Sequence, residues 1–129
     1  NWKQGNIAFS FTGNGAAITA SATEYYLTVP WTCSINSFQF MADVSGALTV
    51  ELLKFTSIGA YVVGGGATIT NSGKCVISAG TANNFTNNTT LTSWKTLVTA
   101  GSVIRTRIDT ATSVQNATLN LMITKRDTP

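Results

Sequence analysis

The residues of this chain that could carry chemistry are few. Its 129 residues hold five carboxylates (Glu24, Asp43, Glu51, Asp109 and Asp127), two cysteines, eight cations and no histidine. Without an imidazole, Ser-His-Asp and Cys-His nucleophilic catalysis and most catalytic zinc sites are out of reach. Cys33 and Cys75 cannot close a tetrahedral zinc site by themselves. Glycoside hydrolysis generally needs two carboxyl groups flanking the scissile bond. Asp43 and Asp109 fall where turns are expected, and turns favour Asp for its backbone hydrogen bonds. Glu51 alternates out of an apolar run and is expected on its solvent face. The glycine clusters Gly13-Asn14-Gly15 and Gly64-Gly65-Gly66 lack the Lys-Ser/Thr ending and following helix of a phosphate loop. No acidic run spells a calcium loop. These residues predict no enzyme, no cofactor and no metal site.

Binding chemistry is better supplied. Sugars lie on aromatic faces flanked by amides and hydroxyls, which donate and accept hydrogen bonds at once. The segment from Thr81 to Thr92 carries Asn84, Phe85, Asn87, Asn88 and Thr89. It reads as a long exposed loop and is the expected contact surface for a ligand or partner protein. Tyr61, in the Gly59 to Gly66 loop, is the next candidate. Trp31 and Trp94 are expected as core or interface anchors, as most tryptophans are. Four Asn-x-Ser/Thr triplets start at Asn84, Asn87, Asn88 and Asn116. In a chain this rich in Asn and Thr they arise by chance and carry little weight.

The net charge is +3, but the cations are scattered and no basic run tracks a phosphate backbone, so no nucleic-acid partner is expected. Arg105 and Arg107 share one strand face and read as a solvated or subunit-interface face. Charged residues are only 10% of the chain against 43% hydrophobic, where a typical domain is nearer a quarter charged. Low charge with many hydroxyls and amides suits a domain that packs on copies of itself. No stretch approaches the roughly 20 apolar residues that cross a bilayer as a helix, so no membrane insertion is expected. The chain opens on Asn1 rather than methionine, which reads as an excerpt or a processed product.

The elements that must position these residues are strands. Ile7, Phe9 and Phe11 alternate with polar neighbours, as do Tyr25, Leu27 and Val29, which Pro30 ends. Ile35, Phe38, Phe40 and Ala42 form a run whose first part changes phase, a sign of a bulge. Leu48, Val50 and Leu52 follow, and the two runs read as a hairpin about Asp43 to Gly46. Short strands are expected at Tyr61 to Val63 and Lys74 to Ala79. Val103 to Asp109, a turn at Thr110 to Thr112, and Leu119, Leu121 and Ile123 read as a closing hairpin. Phe9, Phe38, Phe40, Val50, Leu52, Leu119, Leu121 and Ile123 are the expected core. Both cysteines lie in apolar, strand-like surroundings. Two buried thiols or a disulfide fit, and nothing marks the oxidising compartment that a disulfide needs. With no amphipathic helix, repeat or linker, the chain reads as a single domain over residues 1–129, an all-β antiparallel sandwich of jelly-roll type.

Two blocks add a resemblance. Phe9-Ser10-Phe11-Thr12-Gly13-Asn14-Gly15, Val29-Pro30-Trp31-Thr32-Cys33-Ser34-Ile35 and Ala42-Asp43-Val44-Ser45-Gly46 stand in order within residues 7–54. Leu91-Thr92-Ser93-Trp94 and Thr112-Ser113-Val114 through Thr118-Leu119-Asn120-Leu121 stand within residues 90–125. In order and spacing these motifs resemble a domain of bacteriophage tail-fibre and other virion structural proteins. The central loops lie outside the match, and Ser102 stands after Gly101 where that family often has Asp. The resemblance implies a location on the virion, on a tail fibre or the capsid surface. It implies a role in receptor binding at the host surface, with cell-surface carbohydrate as a candidate ligand. Capsid decoration on capsid subunits is the alternative, and a polysaccharide-degrading enzyme is a remote third. The implied partners are other virion proteins and further copies of the chain, in a fibre as a homotrimer. No catalytic or ligand residue is carried over.

Overall fold

The alternating runs become strands. The computed structural model describes residues 2–13, 15–19, 25–43, 46–62, 65–71, 73–77 and 85–126. The strands are β1 (Trp2–Thr12), β2 (Tyr25–Val29), β3 (Cys33–Ala42), β4 (Ala47–Phe55), β5 (Ala67–Thr68), β6 (Cys75–Ile77), β7 (Phe85–Asn88), β8 (Leu97–Val98), β9 (Ser102–Thr112) and β10 (Asn116–Arg126). Among the described residues the one helical element is a single 3-10 turn, Ile58–Ala60. The first sheet runs β1-β10-β3-β7, with β8 also on β3, and the second runs β2-β9-β4-β5, with β6 also on β4. Every pairing is antiparallel. β1 to β4 alternate between the sheets, β5 and β6 stay with β4 in the second, β7 and β8 lie in the first, β9 and β10 alternate again, and the first and last strands lie side by side. This is the strand order of a jelly roll.

That order corrects both expected hairpins. β3 and β4 lie in different sheets, and so do β9 and β10. A chain that crosses from one sheet to the other leaves the same alternation and turn residues as a hairpin, because both need an inward-facing apolar set and a reversal. The crossings are tight. At Gly46 a Cβ would stand 2.2 Å from the Thr112 carbonyl oxygen, so only glycine lets the end of the β3–β4 connection pass the end of β9. Asp43 ties the same corner to the start of β10, accepting from the Asn116 backbone N–H at 3.0 Å and its Nδ2 at 3.1 Å. The expected turn at Thr110 to Thr112 is instead the end of β9. The reversal comes at Ser113, whose φ of 65° is the left-handed conformation.

All eight expected core side chains are buried between the sheets. They pack with Ile7, Phe11, Ile35, Leu48, Ile77, Ile104 and Ile108 among others. Fully burying one such side chain stabilises by about 1.5–3 kcal/mol, so the period-two pattern is the main determinant of which face turns inward. The change of phase in β3 is a bulge. Ser37 opposes Met122 and Ile35 opposes Ile123, leaving Asn36 as the extra residue. Its Nδ2 donates to Thr124 Oγ1. Both cysteines are free thiols and buried, Cys33 on β3 and Cys75 on β6.

Three local expectations are revised. Tyr61 and Val62 follow the 3-10 turn outside any strand, and Val63 lies outside the described residues. Of the expected strand Lys74 to Ala79, β6 occupies Cys75–Ile77. The Thr81 to Thr92 segment is not all loop, since Phe85–Asn88 pair with Met41 through Phe38 as the edge strand β7. Asn and Thr there satisfy a strand because the pairing partner, not propensity, decides an edge.

Candidate functional site

The outer face of the first sheet is built row by row from the registers of its strands. Ala8, Asn120, Gln39 and Asn87 stand in one row across β1, β10, β3 and β7, and Ser10, Thr118, Met41 and Phe85 stand in the next. Neighbouring strands lie roughly 4.8 Å apart, so each row presents side chains at a fixed spacing. No residue in either row carries a charge. At the β7 end, Met41 and Phe85 face each other across the pair and remain 42% and 48% exposed. They line an open groove of about 440 Å³ with Gln39, Thr86 and Asn87. Thr86 also donates its hydroxyl to the Val76 carbonyl on β6, which links β7 to the second sheet and holds the edge in place. The groove therefore offers an apolar floor beside the two amides of Gln39 and Asn87, chemistry suited to a neutral polar ligand with an apolar face.

The expected site residues divide. Phe85 and Asn87 stand together on the outer face. Asn88 opposes the buried Phe38 and is half-buried, and its Oδ1 accepts from the Thr90 N–H at 2.8 Å, closing a local turn. Thr89 is exposed just beyond β7. Asn84 lies outside the described residues. Tyr61 is not brought to this group. It packs on Tyr26 and Phe55, each at 5.3 Å between ring centroids, over the second sheet. Gln39 and Met41 were missed by sequence reasoning. Their signal was available, since Met41 falls between the inward Phe40 and Ala42 and so presents an apolar side chain on a polar face.

The outer face of the second sheet holds the chain's charge chemistry. Glu51, Leu53 and Phe55 of β4 oppose Arg107, Arg105 and Val103 of β9. Glu51 is only 8% exposed, which corrects its expected place in solvent. Arg107 donates from Nη2 to Glu51 at 2.7 Å and from Nε to Asp109 at 2.7 Å, and Lys74 reaches Asp109 at 2.6 Å. Asp109 lies inside β9, not at a turn. Burial pushes its carboxyl up, but hydrogen bonds from Arg107 and Lys74 and their charges outweigh this and hold it below the usual carboxylate range. A carboxyl so held is ionised near neutral pH and cannot donate a proton as a general acid. Arg105 is 5% exposed, with Nη1 on the Gly65 carbonyl at 3.0 Å. The loop after the 3-10 turn covers it, so of the two guanidinia expected on a solvated or subunit-interface face Arg105 is buried within the chain and Arg107 is half-buried. Among the described residues no group of three or more His, Cys, Asp or Glu could hold a metal ion. No described helix is long and apolar enough to cross a membrane.

No protein-family model matches the chain, and no curated protein matches it. Among solved structures it is similar to a serine protease of Aeromonas sobria, at 9% identity and a TM-score of 0.40 over 95% of this chain and 27% of that one. It is similar to a chain of infectious bursal disease virus, Gx strain, at 13% identity and a TM-score of 0.38 over 99% of this chain and 33% of that one. A nora virus chain aligns at 7% identity and a TM-score of 0.36 over 95% of this chain and 55% of that one. The chain thus spans between about a quarter and about half the length of these proteins. Likenesses this distant carry no argument about role.

Proposed function

We propose that this domain is a non-enzymatic virion structural module of a bacteriophage tail fibre or receptor-binding protein. It contacts the host surface through the Met41–Phe85 face, with neutral cell-surface carbohydrate as its ligand. One observation carries the reading. Two large apolar side chains stay exposed, in register, at the end of two rows whose other members, Ala8, Asn120, Gln39, Asn87, Ser10 and Thr118, are small or polar and carry no charge. Isolated exposed apolar residues are ordinary, but a paired, rigidly placed set in a groove marks a contact site. The amides of Gln39 and Asn87 exchange water for sugar hydroxyls in both directions, and Phe85 supplies the flat apolar patch that lies against a ring. The motif order and the jelly-roll strand order support the virion setting. The missing imidazole, and the ion pairs that tie up Glu51 and Asp109 with Arg107 and Lys74, support a non-catalytic reading.

The test is the double variant Phe85→Ala/Asn87→Ala in assembled particles. Attachment to host cells and incorporation of the chain into the particle are measured side by side. Loss of attachment with normal incorporation is expected. Normal attachment with lost incorporation moves the role to capsid decoration, and no change in either removes this face from the function.

A further inference from the structure

The four sheet edges of this sandwich are unequal. β2 is five residues long and runs into Pro30, β7 is four, and β5 and β6 are two and three. These are short edges of the kind that natural sheets use to prevent pairing with other chains. β1 is different. It is eleven residues long and pairs with β10 without a break, from Trp2 opposite Arg126 to Thr12 opposite Asn116. It has no proline and no bulge, and from Gln4 to Thr12 it has no charge. Among the described residues no strand covers its other side. An edge this long and regular is a template for another strand.

The same edge borders an apolar slot. β1 and β2 are the end strands of the two sheets on this side. Between them lie two adjoining grooves that share Ala8 and Leu27, one of about 300 Å³ reaching Trp31 and one of about 260 Å³ reaching Tyr25. Leu27 has the inward phase of its strand yet is 38% exposed. Among the described residues nothing closes the sandwich along this side, and the Leu27 side chain lies in the opening.

We infer that β1 pairs with β1 of a second copy of this chain, antiparallel about a two-fold axis at Ile7, to make one continuous sheet across a dimer. The register centred on Ile7 is the one that pairs all eleven residues. It sets exposed Asn6 opposite the partner's Ala8 and Gln4 opposite its Ser10, polar or small side chains in each case. It sets Lys3 opposite the partner's Phe11, so the two lysines stand roughly 27 Å apart along the strands, well beyond the screening length in physiological salt. Side chains at i and 14 − i share a face of the sheet, so the inward set stays inward in both copies. A contact of this kind is isologous and closes on itself. The two Leu27-lined slots meet beside the axis and cover each other. The inference does not depend on the ligand proposed for the Met41–Phe85 face. It replaces the threefold arrangement implied by the sequence resemblance with a twofold one.

Charge pairs test the register. In Asn6→Lys/Ala8→Lys, each lysine at 6 meets a lysine at 8 of the partner. In Asn6→Lys/Ala8→Glu, each lysine meets a glutamate. Both positions are exposed, and circular dichroism with a urea midpoint shows whether each variant folds as the parent does. Sedimentation equilibrium of the parent chain is expected to give a dimer at micromolar concentration. The Lys/Lys variant is expected to weaken it at least about tenfold, the scale of a few close charge contacts, and the Lys/Glu variant to keep it. Amide exchange over residues 4–10 is expected to slow as the parent chain is concentrated. A parent chain that stays monomeric at about 100 μM, a range in which even weak complexes form, overturns the inference. So does a trimer, a dimer indifferent to both variants, or one lost equally in both.

Discussion

Trp94 lies flat on Phe38, with ring centroids 5.5 Å apart and planes 7° from parallel. Its indole Nε1 donates to the Gly73 carbonyl at 2.7 Å. One side chain thus anchors the segment before β8 to the core of β3 and to the turn before β6. The turn is tied further by the Lys95 N–H on the Ile69 carbonyl at 2.8 Å and the Ser93 hydroxyl on the Thr70 carbonyl at 3.3 Å. Trp94→Phe keeps an aromatic ring on Phe38 and loses the hydrogen bond, an expected cost of about 1 kcal/mol. Trp94→Ala is expected to cost about 3–5 kcal/mol. A Trp94→Phe midpoint equal to the parent's in urea denaturation would show that the indole N–H has no role, and equal midpoints for the two variants would remove the ring contact instead.

Gly73 is the counterpart of that contact. A Cβ there would stand 2.8 Å from Ser93 Oγ and 3.1 Å from Trp94 Nε1. Gly73→Ala is expected to push the indole off its carbonyl and destabilise by about 1–3 kcal/mol, the usual cost of overpacking. Tryptophan fluorescence reports the displacement, and an unshifted spectrum with unchanged stability counts against it.

The core register is tested by contrast. Phe40 and Leu121 are buried on β3 and β10, whereas Asn120 lies between Leu119 and Leu121 on the outer face. Phe40→Ala or Leu121→Ala is expected to cost about 3 kcal/mol through lost burial and a cavity. Asn120→Ala is expected within about 0.5 kcal/mol of the parent. Chemical denaturation of the three variants decides, since a one-residue slip would exchange the two results.

Acid stability has a defined sign. The hydrogen bond from the Asn116 backbone, with those from the Asn116 side chain and the Gln115 backbone, outweighs the opposing effect of desolvation and holds the Asp43 carboxyl below its usual 3.8. Asp109 is lowered as well, since its bonds to Arg107 and Lys74 outweigh burial. A group with a depressed folded pKa contributes stability that is present above its unfolded value and lost as pH falls through the folded one. The urea midpoint is therefore expected to hold steady above about pH 5 and to fall below about pH 4. Asp43→Asn is expected to flatten part of that fall, and a parallel curve for the variant would remove Asp43 from the account.

Both thiols should be silent in the folded state. Burial pushes the Cys33 thiol up and the Cys75 thiol further still, and the thiolate is the reactive form. Labelling with an aromatic disulfide reagent is expected to be at least about a hundredfold slower in buffer than in denaturant. Both cysteines should then react. Fast labelling in buffer, or no free thiol in denaturant, would contradict buried thiols.

Much of this molecule was legible in one dimension. Period-two alternation identified the inward faces of β1, β3, β4 and β10, and the slipped phase at Ile35 to Phe38 marked the bulge at Asn36, because side chains alternate about the strand whatever it pairs with. Phe85 and Asn87 stood out as candidate contact residues from their types, and the pairing of β7 placed them together on the outer face. What paired with what was not legible. The alternation of β3 and β4 is the same whether they form a hairpin or cross between sheets, and only the close pass of Gly46 over Thr112 and the hold of Asp43 on Asn116 make the crossing. Nor could sequence place Glu51 and Arg105 under cover, because the loop after Ile58 and the cations Lys74 and Arg107 reach them from distant parts of the chain. Met41 became part of the candidate site only when β7 paired beside it. Alternation is a property of neighbours in sequence, whereas burial of an outer face and the making of a groove depend on strands brought together from far apart.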